Sequence, residues 1–181
     1  MTLHAVVLFL HVLGALLLFA AFGLEWLCLR GLRRATSLEQ LRAWSGAAAL
    51  LPRFHAFSGP LIIFAGAYLA TKMDAWAQGW ISIALLVVVV MLVLGMGISG
   101  RRVKALIKAS MQDNAVAADL VSRAYAPILR YSLRLRIALG LGVVYLMGSK
   151  SPMEGSIVVI GIAAAAGLAA SAIGPQPKAA S

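Results

Sequence analysis

From Gly79 to Gly100 the chain reads GWISIALLVVVVMLVLGMGISG and carries no charged side chain. About 20 apolar residues, rising ~1.5 Å each as a helix, cross the ~30 Å hydrocarbon core of a bilayer. Lipid offers no partner to a backbone amide, so such a run must satisfy its own hydrogen bonds and is helical. The central valines would suit a strand in water. The run is too long for one and lacks alternation, so a membrane helix is predicted.

Four further apolar runs follow the same logic. The predicted helices are 3–29, 54–71, 79–100, 131–148 and 155–174, giving an all-α bundle of about five spans in a single transmembrane domain, 1–174. A flexible tail, 175–181, follows. The second helix can extend back through AAALLPRF and contains Pro60, which should bend it or free a carbonyl. Composition agrees. The chain is 62% hydrophobic and 12% charged, against about 25% charged in soluble domains. The opening MTLHAVVLFLHVLGALLLFAAFG lacks a cationic lead and exceeds the ~7–15 apolar residues of a signal-peptide core, so it reads as an uncleaved first span.

The net charge of +10 could suit nucleic acid. The cations instead gather between the apolar runs, as in membrane proteins, and no nucleic-acid partner is expected. The first connection holds Arg30, Arg33, Arg34, Arg42 and Arg53. The third, with the foot of the fourth helix, holds Arg101, Arg102, Lys104, Lys108, Arg123, Arg130, Arg134 and Arg136. Lys72 and Lys150 stand alone in the second and fourth. Thirteen against two places the first and third connections in the cytoplasm, with the N-terminus outside and the C-terminus inside. Trp76 and Trp80 mark the outer rim.

The two inner connections carry helix signals. Thr36 with Glu39, and Ser37 with Gln40, both fit a capping box ahead of Leu38, Leu41 and Trp44. Val116, Leu120, Val121 and Ala124 recur at helical spacing, with Asp113 or Asn114 as cap and Pro127 as breaker. Two short surface helices are expected there.

Phosphate loops, nucleophile elbows and HExxH are absent from the sequence, and six acids cannot build a carboxylate cage. No zinc spacing exists among Cys28, His4, His11 and His55, so no metal site is expected. The candidate functional residues are the polar groups inside apolar helices, which are costly in lipid. His4, His11 and Glu25 fall on one stripe of the first helix. His11 reads either as a haem or metal ligand or as a histidine bonded to a backbone carbonyl. Glu25 reads as a structural ion pair or as a mechanistic acid. Its expected partner is Arg136, then Arg134, with Arg53 and His55 as fallbacks. His55 near the foot of the second helix invites bis-histidine haem ligation with His11. Depths along the two helices differ on the order of 10 Å, which opposes a shared iron. Ala163, Gly167 and Ser171 form a small-xxx-small ridge suited to close helix packing.

The stretch LHAVVLFLHVLGALLLFAAFG, with His11 followed by small residues, and RLRIALGLGVVYLMGSKSPMEGSIVVIGIAAAAG, with Lys150 and Pro152 ahead of a last small-residue helix, resemble a loose set of small bacterial membrane proteins. That set comprises copper-resistance protein D-like and HemJ-type proteins and families of unknown function. The HemJ-type resemblance implies haem binding and oxidation of a haem precursor; the set as a whole implies a bacterial inner membrane. Three function classes follow. The first is a non-enzymatic accessory or assembly subunit with a membrane-protein partner or as a homo-oligomer. The second is a haem- or metal-binding redox protein using His11. The third is a small-solute or ion transporter working as an oligomer.

The cation count makes a direct prediction. Single cysteines at Lys72 and Arg102, in a Cys28→Ser background, should react with a membrane-impermeant maleimide from opposite sides of sealed vesicles. Labelling from the same side would overturn the topology.

Overall fold

The computed structural model describes residues 2–112 and 117–173, and every regular element among them is helical. The order is α1 (Leu3–Arg34), α2 (Leu38–Ala48), α3 (Leu51–Lys72), α4 (Gly79–Leu92), a π-helical segment (Val93–Gly100), α5 (Arg101–Ser110), α6 (Ala117–Ala124), α7 (Pro127–Ser149) and α8 (Met153–Ala172). Five stretches are long and apolar enough to cross a membrane: Leu3–Arg34, Leu38–Lys72, Gly79–Ser110, Val121–Ser149 and Met153–Ala172. The protein is an all-α membrane bundle.

The helices outrun the apolar runs that announce them. α1 continues from Leu29 to Arg34 because Gly31 is no stop; it is buried under the ring of Trp44 from α2. α3 starts at Leu51 and α7 at Pro127, each with proline in the first turn, where a missing N–H costs nothing. Pro127 therefore opens a helix as well as ending the segment before it. The third span passes Gly100 and runs on to Ser110. Beyond Gly100 it becomes amphipathic, with Val103 and Leu106 buried and Arg101, Arg102, Lys104 and Lys108 exposed. The suggested caps Asp113 and Asn114, with Val116, Gly174 and the tail 175–181, lie outside the described residues.

α1 packs chiefly along α3. A Cβ on Gly14 would stand 2.8 Å from Leu61 Cβ and 3.0 Å from the Ile62 nitrogen, so only glycine permits that approach. α7 and α8 form the second close pair. A Cβ on Gly167 would meet Ala138 Cβ at 2.9 Å and the Arg134 carbonyl at 3.1 Å, and one on Gly142 would meet Ala163 Cβ at 3.1 Å. Ser171, buried one turn on, returns its hydroxyl to the Gly167 carbonyl at 2.7 Å. Ala163, Gly167 and Ser171 thus line the face of α8 turned to α7.

The short helices close one end of the bundle. Ser37 caps α2 by accepting from the Gln40 N–H at 3.2 Å, and the Gln40 side chain accepts from the Thr36 N–H at 3.0 Å. Leu32, Leu41, Leu106 and Ala124 form a small core joining α1, α2, α5 and α6. Arg42 ties α2 to the end of α5 through the Ser110 carbonyl at 3.1 Å. The first and third connections therefore share one arginine-rich end. At the opposite end Gly79 abuts Met153, so the second and fourth connections meet there.

Leucine at Gly167 must push α8 off α7, and overpacking of this kind costs ~1–3 kcal/mol. Gly167→Leu is expected to lower the melting temperature in detergent. Gly161→Leu, on the same helix where a Cβ meets nothing within 4 Å, is expected to leave it unchanged. Equal melting of the two variants would contradict the packing described.

Candidate functional site

The strongest polar feature in the bundle joins α1 to α7. Glu25 is 4% exposed and Arg136 is 1% exposed. Arg136 Nη2 donates to both carboxylate oxygens of Glu25, at 2.7 and 2.9 Å. Arg136 Nε donates to the Ser132 carbonyl one turn back, at 3.3 Å. The guanidinium also lies 5.3 Å from the centre of the Phe22 ring, and Phe22 meets Phe19 edge-on at 5.9 Å. Transfer of either charge alone out of water costs several kcal/mol, and pairing with further hydrogen bonds offsets this. Burial at this site demands all of these contacts at once.

A polar ladder continues from the pair to the third span. Ser99 Oγ donates to Ser132 Oγ at 2.8 Å, and Ser132 Oγ donates to the Leu94 carbonyl at 3.2 Å. Leu94 and Ser99 both belong to the π segment, whose wider turn is compatible with its glycines. A Cβ on Gly95 would stand 3.3 Å from Arg136 Nη1, and one on Gly100 would stand 3.0 Å from the Gly95 carbonyl. Glycine thus makes room both for the guanidinium and for the widened turn. π turns are rare and concentrate at functional sites. Here the turn stands opposite the buried ion pair.

The other residues singled out by sequence lie elsewhere. Arg134 does not reach Glu25. Two positions along a helix turn the side chain by about 200°, so Arg134 faces α8 and bonds the Ala170 carbonyl. Arg53 is exposed at the start of α3, and His55 Nδ1 sits 2.8 Å from the Leu51 carbonyl of its own helix, so neither serves Glu25. His11 Nδ1 lies 3.0 Å from the Ile62 carbonyl, and its ring fills the space left by Gly66. Ile62 follows His55 by seven positions, about 10 Å of helix. The two imidazoles are therefore held on separate carbonyls at separate depths, and a haem iron shared between them does not fit. His4 is exposed. The stripe of His4, His11 and Glu25 fronts different neighbours: α3 at His11 and α7 at Glu25. Among the described residues, no group of three His, Cys, Asp or Glu is placed to hold a metal.

Ser99 and Ser132 are barely marked in the sequence. Their one signal was a hydroxyl inside an otherwise apolar or cationic helix, which alone says nothing about a partner.

Glu25→Gln leaves Arg136 charged, buried and without its carboxylate, a change that costs ~3–5 kcal/mol. The variant is expected to melt well below the parent in detergent. The double substitution Glu25→Leu with Arg136→Met removes both charges and should recover most of the loss. A Glu25→Gln protein as stable as the parent would remove the pair from the scaffold. No protein-family model, curated protein or solved structure matches this chain.

Proposed function

We propose that this is a non-enzymatic accessory or assembly subunit of a larger complex in the bacterial inner membrane, oriented with the N-terminus outside and the C-terminus inside. One observation carries the reading: the polar groups that would supply chemistry are committed to contacts within the bundle. Glu25 spends both oxygens on Arg136, Ser99 and Ser132 bridge the third and fourth spans, and His11 and His55 rest on backbone carbonyls. Small residues and buried polar links give a rigid scaffold, while large side chains such as Phe57, Phe64 and Tyr145 face outward to lipid or a partner. The thirteen-to-two distribution of cations supports the orientation.

A second reading, a proton-coupled small-solute or ion carrier acting as an oligomer, draws on one feature. The π segment next to an intramembrane acid is a place where a helix can change register. The haem-protein resemblance would rest on His11 alone, with its Nε2 as the ligating atom.

The test is extraction of the protein from its native membrane in mild detergent. The accessory reading expects a colourless preparation in a stoichiometric complex with another membrane protein, unchanged by His11→Ala. A Soret band lost in His11→Ala would replace this reading with the haem protein. Proton-driven uptake in proteoliposomes, abolished by a Glu25→Gln variant that still folds, would replace it with the carrier.

A further inference from the structure

A second charged feature opens at the arginine-rich end, separate from the buried pair. A cleft of about 190 Å³ lies between the last turns of α1 and the first turns of α7. Arg30, Arg33 and Arg34 enter it from α1, and Arg130 and Arg134 from α7. All five cations are arginines, although the chain has lysines elsewhere. The planar guanidinium offers paired donors that match the oxygens of a phosphate, which an ammonium does not.

Three of these side chains are held in place. Arg33 is half-buried; its Nε donates to the Ala124 carbonyl at 2.8 Å, and its guanidinium lies 5.5 Å from the Tyr125 ring. Arg30 lies 5.3 Å from the Trp26 ring. Arg134 is tied to the Ala170 carbonyl. Yet Arg30, Arg33, Arg34 and Arg134 have no carboxylate partner among the described residues. Like charges crowded this closely repel, and an anion between them removes the repulsion. Beside the arginines and Tyr125 the lining is apolar, formed by buried Leu29 and Leu133 and by Trp26, which is 44% exposed. A cationic mouth over an apolar wall, at the membrane-surface end of spanning helices, matches a phospholipid: headgroup below, glycerol and chains above.

We propose that this cleft binds a phosphate group, carried by an anionic phospholipid of the leaflet that contacts the arginine-rich end. The inference is independent of the accessory role, since it concerns a ligand of this chain alone.

The experiment uses the purified full chain in dodecyl maltoside and native mass spectrometry. Dioleoylphosphatidylglycerol and dioleoylphosphatidylcholine are added separately, each with and without sodium pyrophosphate. One phosphatidylglycerol per chain should be retained in preference to phosphatidylcholine. Arg30→Gln with Arg34→Gln should weaken retention about thirtyfold, taking two surface cations at their usual worth. Neither side chain bonds another helix, and melting without lipid verifies that this variant folds. Arg101→Gln with Arg102→Gln removes the same charge outside the cleft and should retain the lipid. Retention that survives pyrophosphate assigns the phosphate to a lipid; displacement by pyrophosphate assigns the same site to a soluble phosphate. Equal retention of both lipids with no pyrophosphate binding, or equal behaviour of the two double variants, would overturn the proposal.

Discussion

The carboxylate of Glu25 and the guanidinium of Arg136 cannot lie inside a membrane bundle except together. That constraint organises much of the structure. It fixes the rotation of α1 about its axis and the depth of α7 against it, because donor and acceptor must meet within 3 Å. It calls for Phe22 beneath the guanidinium and a residue without a side chain, Gly95, beside it. Through Ser132 it extends to the π segment, so one buried pair joins the first, third and fourth spans. Burying an ion pair is seldom a gain in stability over well-packed apolar residues. Its worth lies in specificity: sliding α1 by one turn would strand a charge in lipid, whereas sliding an all-leucine helix would cost little.

The glycine contacts divide the labour with that pair. Gly14 and Gly66 let α1 and α3 approach, and Gly142 and Gly167 do the same for α7 and α8. In lipid there is no hydrophobic force between helices, so close packing of this kind drives association. The polar contacts then select which face meets which. The small helices α2, α5 and α6 complete the arginine-rich end with a core of their own, and they shape the surroundings of the cleft where Arg33 is pinned to the Ala124 carbonyl.

Much of this was legible in the sequence because it follows from what lipid forbids. Long uncharged runs specify spans, and matching depths for Glu25 and Arg136 rank that pair ahead of Arg134, Arg53 and His55 before any coordinates. The surplus of arginine in alternate connections groups the short helices at one end. Helix ends were less legible. Gly31 and Gly100 look like stops, yet they lie within helices because a neighbour, Trp44, or a widened turn requires a missing side chain. Arg134 ranks second to Arg136 at a similar depth; the turn between them sends one to α8 and the other to α1. The π segment left no trace, since hydrogen-bond register has no signature in a run of valine, leucine and glycine. The arginine cleft was invisible for a different reason. Its two sides are nearly a hundred residues apart in the chain, and each alone reads as ordinary membrane-surface charge.

The central claim is that Glu25 and Arg136 are in direct contact within the bilayer. Solid-state NMR on the protein in lipid measures this without perturbing either residue. Glu39→Gln with Glu154→Gln leaves Glu25 as the one glutamate in the chain, so carboxyl-¹³C glutamate and guanidino-¹⁵N arginine report a single carboxylate. The account predicts strong ¹³C–¹⁵N dephasing from one arginine, lost in Arg136→Met and kept in Arg134→Met. A Glu25 carboxyl that shows no dephasing, or loses it only with Arg134, would contradict the account.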